Sequence, residues 1–277
     1  MSSPRMPALY LPHGGGPWPF VPLGLPQGEV DALAAWLRAL PGSLPQPPTA
    51  IVVVSAHWEA DRVTVGAGAA PPLLFDYTGF PDAAYQLTWP APGDPALAAH
   101  IADLLRAAGV SVATDADRGF DHAAFVPLKV AWPDAQVPTV QLSLRRDLDP
   151  AFHLSVGRAL APLRDEGVLL IGSGMSFHNL RAFFGRAPKP LDAARAFDGW
   201  LHDLAGLSPA RRAAELLAWE RAPGARISHP RAEHLLPLHV IAGAARTDPG
   251  VVSFSGTFAG LPITALTFGG AAPQEPT

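Results

Sequence analysis

The chain has 277 residues, 48% of them hydrophobic and 16% charged, which is typical of a globular protein with a large core and excludes a largely disordered chain. A formal net charge of −4 gives no reason to expect a nucleic acid or an anionic membrane as partner. The absence of cysteine excludes disulfide scaffolds, thiol nucleophiles, iron–sulfur clusters and zinc sites that need thiolate.

Short apolar runs predict buried strands, and apolar residues at helical spacing predict helices. Taken in chain order, these patterns predict a strand at 8–11, a helix at 29–40, a strand at 51–54, a long ordered loop at 67–94, a helix at 95–108, strands at 110–113 and 137–144, a helix at 151–163, a strand at 168–171, helices at 191–204, 209–219 and 233–245, and strands at 252–258 and 263–268. Strands that alternate with helices predict an α/β fold with a mostly parallel or mixed central sheet flanked by helices. No shift in composition marks a linker, so the prediction is a single domain over 1–277.

An uncharged segment at 249–273 must be weighed as a membrane span. Its polar residues alternate with apolar ones, and glycine and proline interrupt it, so two buried strands are the better interpretation. The first residues lack the long apolar stretch of a signal peptide. We therefore expect a cytoplasmic protein without a membrane partner.

Six of the ten histidines lie at the ends of predicted elements or in turns rich in glycine and proline. They are His13, His57, His122, His178, His229 and His234. Three of them, His13, His57 and His178, come within a few residues after predicted strands, and the carboxyl ends of strands are where ligands bind in such sheets. Imidazole is also the only nitrogen ligand that a chain without cysteine offers to a borderline metal. We expect several of these histidines to converge on one metal ion.

Ordered motifs along nearly the whole chain carry a family resemblance. They are LPHGGGP at 11–17, SAHWE at 55–59, DYTGFP at 76–81, YQ at 85–86, PAPG at 90–93, RGFDH at 118–122, VPL at 126–128, GSG at 172–174, HNL at 178–180, HP at 229–230 and EHLLPL at 233–238. In this set the chain resembles the DOPA-dioxygenase branch of the class III extradiol ring-cleaving dioxygenases. Two positions depart from the pattern, since Ala123 replaces a frequent glycine and Thr78 a usual aromatic residue.

The resemblance implies a mononuclear non-haem metal held by His13, His57 and a third ligand from the pair Glu233 and His234. His234 is favoured, because this branch resembles a histidine-rich site, whereas related enzymes outside it use two histidines and a glutamate. His178 would be a base or a fourth ligand. Fe(II) is the metal expected for turnover, and Zn(II) can occupy the same kind of site.

The same resemblance places His122 as a catalytic group near substrate or oxygen, and Tyr77, Phe80 and His229 at the substrate. The function it implies is opening of the aromatic ring of a catechol-type substrate in the extradiol position, with a small aromatic diol and O2 as the only partners. Two alternatives remain at this point: a zinc-dependent hydrolase on the same histidines, or a metal-binding protein without turnover. The sequence leaves the oligomeric state open.

Overall fold

An eight-stranded mixed sheet forms the centre of the computed structural model, which describes residues 4–185 and 188–269. Its strands are β1 (Ala8–Pro12), β2 (Ala50–Ala60), β3 (Val63–Gly66), β4 (Val112–Asp115), β5 (Thr139–Arg145), β6 (Val168–Gly174), β7 (Gly250–Phe258) and β8 (Leu261–Phe268). They lie in the order β4-β3-β5-β2-β6-β1-β8-β7. The four central strands β5, β2, β6 and β1 run parallel, whereas β8 pairs antiparallel with β1 and β7.

Helices cover both faces of this sheet. In the described residues they are α1 (Gln27–Ser43), α2 (Pro95–Ala107), α3 (His122–Ala131), α4 (Pro150–Leu160), α5 (Leu180–Phe184), α6 (Leu191–Gly206), α7 (Pro209–Leu217), α8 (Ala225–Ser228) and α9 (Leu236–Ala245), with 3-10 turns at Asp82–Tyr85, Ala161–Glu166 and Trp219–Arg221. Helices α1 and α3 pack into one core, and α2, α4, α6 and α9 pack into the core on the opposite face.

The alternation of side chains along β2 explains why its apolar run is continuous. Ile51 and Val53 enter the core with α1 and α3, whereas Val52 and Val54 enter the other core. A strand buried on both faces reads as an unbroken apolar run, since successive side chains point to opposite sides of the sheet. The predicted α/β fold with one mixed, helix-flanked sheet is confirmed. The outer ends of the predicted domain 1–277 lie outside the described residues.

Several local predictions were wrong, and each error has a physical reason. Helix α3 was not predicted, because nine of its ten residues are buried and no polar face marks the helical period. Strand β3 has only four residues and was also missed. The predicted strand at 110–113 lies two residues later, at β4. The predicted helix at 233–245 begins only at Leu236, with Pro237 in its first turn, so that Glu233 and His234 lie in the preceding turn.

The uncharged C-terminal segment forms strands β7 and β8, as predicted, up to Phe268. Its last predicted residues, 270–273, lie outside the described part of the chain. Within residues 4–185 and 188–269, no helix is both long and apolar enough to cross a membrane. The pairing of β8 with β1 instead places this segment in the sheet beside the strand that precedes His13.

Candidate active site

Three histidines lie at the carboxyl edge of adjacent parallel strands. His13 follows β1, and its backbone N–H donates to the carbonyl of Gly174 at the end of β6 (3.0 Å). His178 follows β6, and His57 lies inside β2. The predicted strand ended at Val54, but β2 runs to Ala60 through a register shift against β5, which keeps His57 in the strand.

The glycine turn after β1 lets aromatic side chains close over it. Gly14 and Gly16 both have positive φ angles, 80° and 51°. A Cβ atom on Gly14 would lie 2.6 Å from the ring of Trp18, and one on Gly16 would lie 2.9 Å from the ring of Phe80. Glycine is therefore required at both positions, for the backbone conformation and for the close approach of these rings.

His13, His57 and His234 converge, and His13 and His57 also line a cavity. One nitrogen from each of the three rings lies within 4.8 Å of the other two. His13 is almost completely buried, and both of its ring nitrogens lack a hydrogen-bond partner among residues 4–185 and 188–269. Buried polar atoms are normally paired, so an unpaired imidazole among two others indicates a missing ligand.

The orientation of two of these rings is fixed by carboxylates. Nδ1 of His57 lies 3.1 Å from Oδ2 of Asp76, and Nδ1 of His234 lies 3.0 Å from Oε1 of Glu233. Each Nδ1–H thus has an acceptor, which leaves the lone pair on each Nε2. The two Nε2 atoms face each other at 3.1 Å. Lone pairs this close repel unless they share a cation, and the distance is close to that of neighbouring nitrogen ligands on an ion bound at about 2.1 Å. The three residues therefore fit a divalent metal.

Burial keeps the imidazoles of His13 and His234 neutral, as metal ligands must be. The pKa of His13 and that of His234 lie well below the usual value, first because of burial and second because of the neighbouring histidines. Burial alone would raise the pKa of the Asp76 carboxyl, but hydrogen bonds from His122 and His57 outweigh it and hold that pKa far below its usual range. Asp76 is therefore an anion that can orient both rings.

His122 begins α3 and shares Asp76 with His57. Its backbone N–H and its Nδ1 lie 3.0 and 2.8 Å from Oδ1 of Asp76, and its ring centroid lies 4.0 Å from that of His57. The N-cap residue Asp121 is buried and accepts a hydrogen bond from the hydroxyl of Ser55 (2.8 Å). Burial lowers the pKa of His122 despite its bond to Asp76. The neutral ring thus carries its hydrogen on Nδ1 and presents Nε2 as an acceptor.

His178 lies beside the cluster rather than within it. Its ring stacks on that of His234, with centroids 3.3 Å apart, and its Nδ1 lies 3.3 Å from Oε1 of Glu233. Burial would raise the pKa of Glu233, but the bond from His178 and the charge of Arg231 contribute to a net lowering. Glu233 is therefore a carboxylate that joins two histidines.

An arginine–glutamate pair supports Glu233 from the outside. Arg231 makes a two-pronged ion pair with Glu59 at the end of β2, and its Nη1 lies 3.4 Å from Oε2 of Glu233. No sequence pattern indicated a role for Asp76, Glu59 or Arg231. Asp76 was visible only as part of a quoted motif in the predicted loop, and Glu59 and Arg231 are 172 positions apart.

The cavity above the histidines measures about 580 Å³ and has a largely aromatic wall. Tyr77, Phe80, Phe183 and Phe258 line it together with His13, His57, His122 and His178. The hydroxyl of Tyr77 donates to the carbonyl of Ala84 (2.7 Å), and burial raises the pKa of Tyr77 to about 12. Tyr77 therefore offers the cavity its ring and not an acidic group.

The structure does not bring His229 to this cavity. Its side chain is completely buried and packs against Phe197 and Trp219, and its Nε2 lies 2.9 Å from the carbonyl of Ser176. Burial lowers its pKa to about 3. The assignment of His229 to substrate binding does not fit this position. The ring instead contacts the carbonyl of Ser176 and holds the segment after β6 in place from the core side.

Comparisons with known proteins show which family this chain resembles. A family model described as the catalytic LigB subunit of aromatic ring-opening dioxygenase matches residues 16–269. The dioxygenase tasH of Hapsidospora irregularis is 38% identical over 95% of this chain and 86% of its own. Proteins named 4,5-DOPA dioxygenase extradiol are 45% identical in Portulaca grandiflora (72% of this chain, 74% of the relative) and 39% identical in Escherichia coli K12 (88% and 87%).

A solved structure shares the fold as well. The crystal structure of an uncharacterized protein from Escherichia coli K12 superposes with a TM-score of 0.77 at 33% identity, covering 96% of this chain and 100% of the other. The family match spans most of the chain, and several relatives are named as extradiol enzymes. The chain therefore belongs to the LigB family of aromatic ring-opening dioxygenases, as an extradiol ring-cleaving enzyme.

Proposed function

We propose that this enzyme opens a catechol-type ring beside its two hydroxyl groups, with Fe(II) held by His13, His57 and His234. The observation that carries the proposal is the convergence of three imidazole nitrogens beside a cavity that His13 and His57 line together with aromatic side chains. Within the described residues, neither ring nitrogen of His13 has a hydrogen-bond partner. Ferrous iron in such a site supplies the redox chemistry that lets O2 react with the diol. Zn(II) can fill the same site, but it has no redox chemistry of this kind.

Glu233 is the less suitable third ligand. One of its oxygens lies 3.0 Å from Nδ1 of His234 and 3.3 Å from Nδ1 of His178, and the other faces Arg231. A carboxylate that contacts two imidazoles and forms an ion pair with an arginine acts by orienting them, as outer partners of metal ligands do. We assign His234 as the ligand and Glu233 as its positioning residue.

We assign the proton transfers to His178 and His122. His178 lines the cavity, stacks on the ring of His234 and lies 3.3 Å from Oε1 of Glu233, which suits a base oriented by a carboxylate better than a fourth ligand. It accepts the proton of a substrate hydroxyl and returns it later, with Glu233 stabilising the imidazolium. The resemblance suggested that His122 donates to developing negative charge. Because its Nδ1–H is engaged by Asp76, neutral His122 accepts through Nε2 and donates only after it has taken a proton.

The cavity wall also indicates what the rest of the substrate is like. Besides the histidines, the lining includes the apolar side chains of Leu23, Leu25 and Phe258. Among the described residues that line the cavity, none is lysine or arginine. A carboxylate on the substituent would lose its hydration there without gaining a cation, and burying an unpaired charge is costly.

We expect catechols with an uncharged apolar substituent to be better substrates than catechols with a carboxylate. The measurement is kcat/KM for 4-methylcatechol and 4-ethylcatechol against 3,4-dihydroxybenzoate and 3,4-dihydroxyphenylacetate. The uncharged pair should be favoured by about tenfold or more, which corresponds to one poorly compensated polar group. Equal or higher values for the acids would show that the wall does not select in this way.

A metal-exchange experiment tests the proposed reaction itself. Protein stripped of metal is loaded anaerobically with Fe(II) or with Zn(II) and then mixed with the catechols in air-saturated buffer. We expect the Fe(II) protein to form a yellow semialdehyde product whose mass equals that of the substrate plus O2. The Zn(II) protein and an Fe(II)-treated His13→Ala variant serve as controls and should form none. Ester hydrolysis by the Zn(II) protein, without ring opening by the Fe(II) protein, would contradict the proposal.

We also propose that the enzyme works in the cytoplasm. A ferrous site stays active only where iron is kept reduced, and a reducing compartment provides this condition. The chain has no cysteine, so nothing in it depends on an oxidising compartment. Fractionation of the source cells, with the enzyme followed by activity and by antibody, checks this location. Recovery of the enzyme in the extracellular fraction would contradict it.

A further inference from the structure

A second cavity, remote from the histidines, is surrounded by arginines. It measures about 510 Å³ and lies between α4, α7 and the C-terminal end of α9. Helix α9 begins two residues after His234, so the ten-residue helix separates this cavity from the metal site by about 15 Å. Arg158, Arg212 and Arg246 all line it, and we call it the arginine cavity. Among the described residues that line it, none is aspartate or glutamate.

Arg212 is a buried cation that has no carboxylate partner within the described residues. The residue is 1% exposed, and its guanidinium donates to the backbone carbonyls of Asp248 (3.1 Å) and Arg246 (3.4 Å). The guanidinium also lies over the ring of Phe268, 4.6 Å from the ring centroid, which leaves its charge without an anion. The carboxylate of Asp248 is instead bound to Arg164 (2.5 Å). Buried charges in proteins are as a rule paired with an opposite charge, so a buried guanidinium at a cavity wall points to an anion in the cavity.

The other two arginines, Arg158 and Arg246, have no oppositely charged partner within the described residues. Arg158 on α4 and Arg246 after α9 are exposed, and neither forms an ion pair or a side-chain hydrogen bond within the described residues. The start of α7 faces the same space, because Pro209 and Ala210 line the cavity and no side chain caps this helix. The free amides of a helix start add further positive potential beside the three guanidiniums.

The backbone at Arg246 is strained in a way that only glycine tolerates well. Its φ and ψ angles are 52° and −107°. The N–H of Asp248 donates to the carbonyl of Ala245 (2.9 Å), so residues 245–248 form a type II′ turn with Arg246 at the position that strongly prefers glycine. Strain of this kind is kept at binding sites more often than elsewhere. Here it places a third guanidinium at the cavity.

We propose that the arginine cavity binds a small organic phosphate. The phosphate lies among Arg158, Arg212 and Arg246 at the start of α7, since guanidinium groups bind phosphate through paired hydrogen bonds and three cations more than balance a dianion. The organic part packs against Leu154, Pro162 and Ala242 in the remaining volume. A cavity of this size is within the usual range for small-molecule sites and is larger than a phosphate ion needs.

Calorimetric titration of the metal-loaded protein with inorganic phosphate and with phenyl phosphate tests the proposal. Both should bind in a saturable manner with one site, and phenyl phosphate should bind more tightly because its ring covers apolar surface. Arg158→Gln and Arg246→Gly should each weaken binding by about tenfold or more, the effect of one charge-assisted hydrogen bond. Arg246→Gly should fold at least as stably as the parent protein in phosphate-free buffer, because glycine adopts this turn without strain.

Arg38→Gln is the matched control, because Arg38 is exposed on α1, on the opposite face of the sheet, and its loss changes the net charge equally. This variant should bind both probes as the parent protein does. Equal weakening in all three variants would reveal a general charge effect and overturn the proposal. Absence of saturable binding in the parent protein, or full affinity in Arg158→Gln and Arg246→Gly, would also overturn it.

Discussion

Replacement of any one of His13, His57 and His234 by alanine should remove most of the bound divalent metal and abolish ring opening. The three nitrogens surround one point, and the loss of one leaves a facial site with two protein ligands. Loss of an outer partner of a metal ligand typically weakens binding about 10–100-fold, and loss of a ligand should exceed that. Metal content after gel filtration, followed by competition with a chromophoric chelator, gives the affinity.

His100→Ala is the control for these variants. His100 lies on α2 with its side chain 44% exposed and contacts Glu166 on the surface, so its replacement should change neither metal content nor rate. Glu233→Gln tests the identity of the third ligand. A larger loss of metal in this variant than in His234→Ala would make Glu233 the ligand and His234 the positioning residue. Full metal affinity in His13→Ala or His57→Ala would show that the ligand set is wrong.

His178→Ala should keep most of the Fe(II) and lose turnover by about 10²–10⁴-fold, the usual contribution of a general base. A ligand and a base differ here, since loss of a ligand removes binding energy for the metal, whereas loss of a base leaves the metal in place and slows proton transfer. The residual rate should also depend more steeply on pH, because the substrate must then ionise without help.

Iron content and kcat measured on the same His178→Ala sample decide between the two roles. If iron is lost as completely as in His13→Ala, His178 is a fourth ligand and the base must be sought elsewhere. His229→Asn serves as a second comparison. His229 is buried outside the cavity lining, so this change should lower the free energy of unfolding and leave KM unchanged.

The position of the site was predictable from the sequence because it depends on strands. Apolar runs located β1, β2 and β6, and the histidines that follow or end these runs had to meet at one edge of a parallel sheet. The pairing of β6 with both β1 and β2 brings His13, His57 and His178 to neighbouring strands. Hydrophobic patterns in the sequence thus predicted both the fold class and the edge of the sheet at which these histidines lie.

The residues that orient the histidines were not predictable in the same way. Asp76 lies in a loop without periodicity, and its contact with His122 spans 46 positions. His229 shows the opposite error, since a histidine in a turn next to Glu233 resembles a site residue in sequence but is turned toward Phe197 and Trp219. Such contacts depend on how loops cross in space, which neither residue spacing nor hydrophobic patterning records.

Oxygen consumption by the Fe(II)-loaded enzyme with 4-methylcatechol is the decisive measurement of iron-dependent ring opening. The structure places three histidines around one point beneath an aromatic cavity, and a dioxygenase built on that site must use one O2 for each catechol it opens. An oxygen electrode and a spectrophotometer read the same reaction, with metal-free protein as the blank. We predict equal consumption of O2 and catechol, dependent on Fe(II) and absent in His13→Ala. Catechol consumed without O2 uptake, or O2 uptake that persists in His13→Ala, would contradict the account.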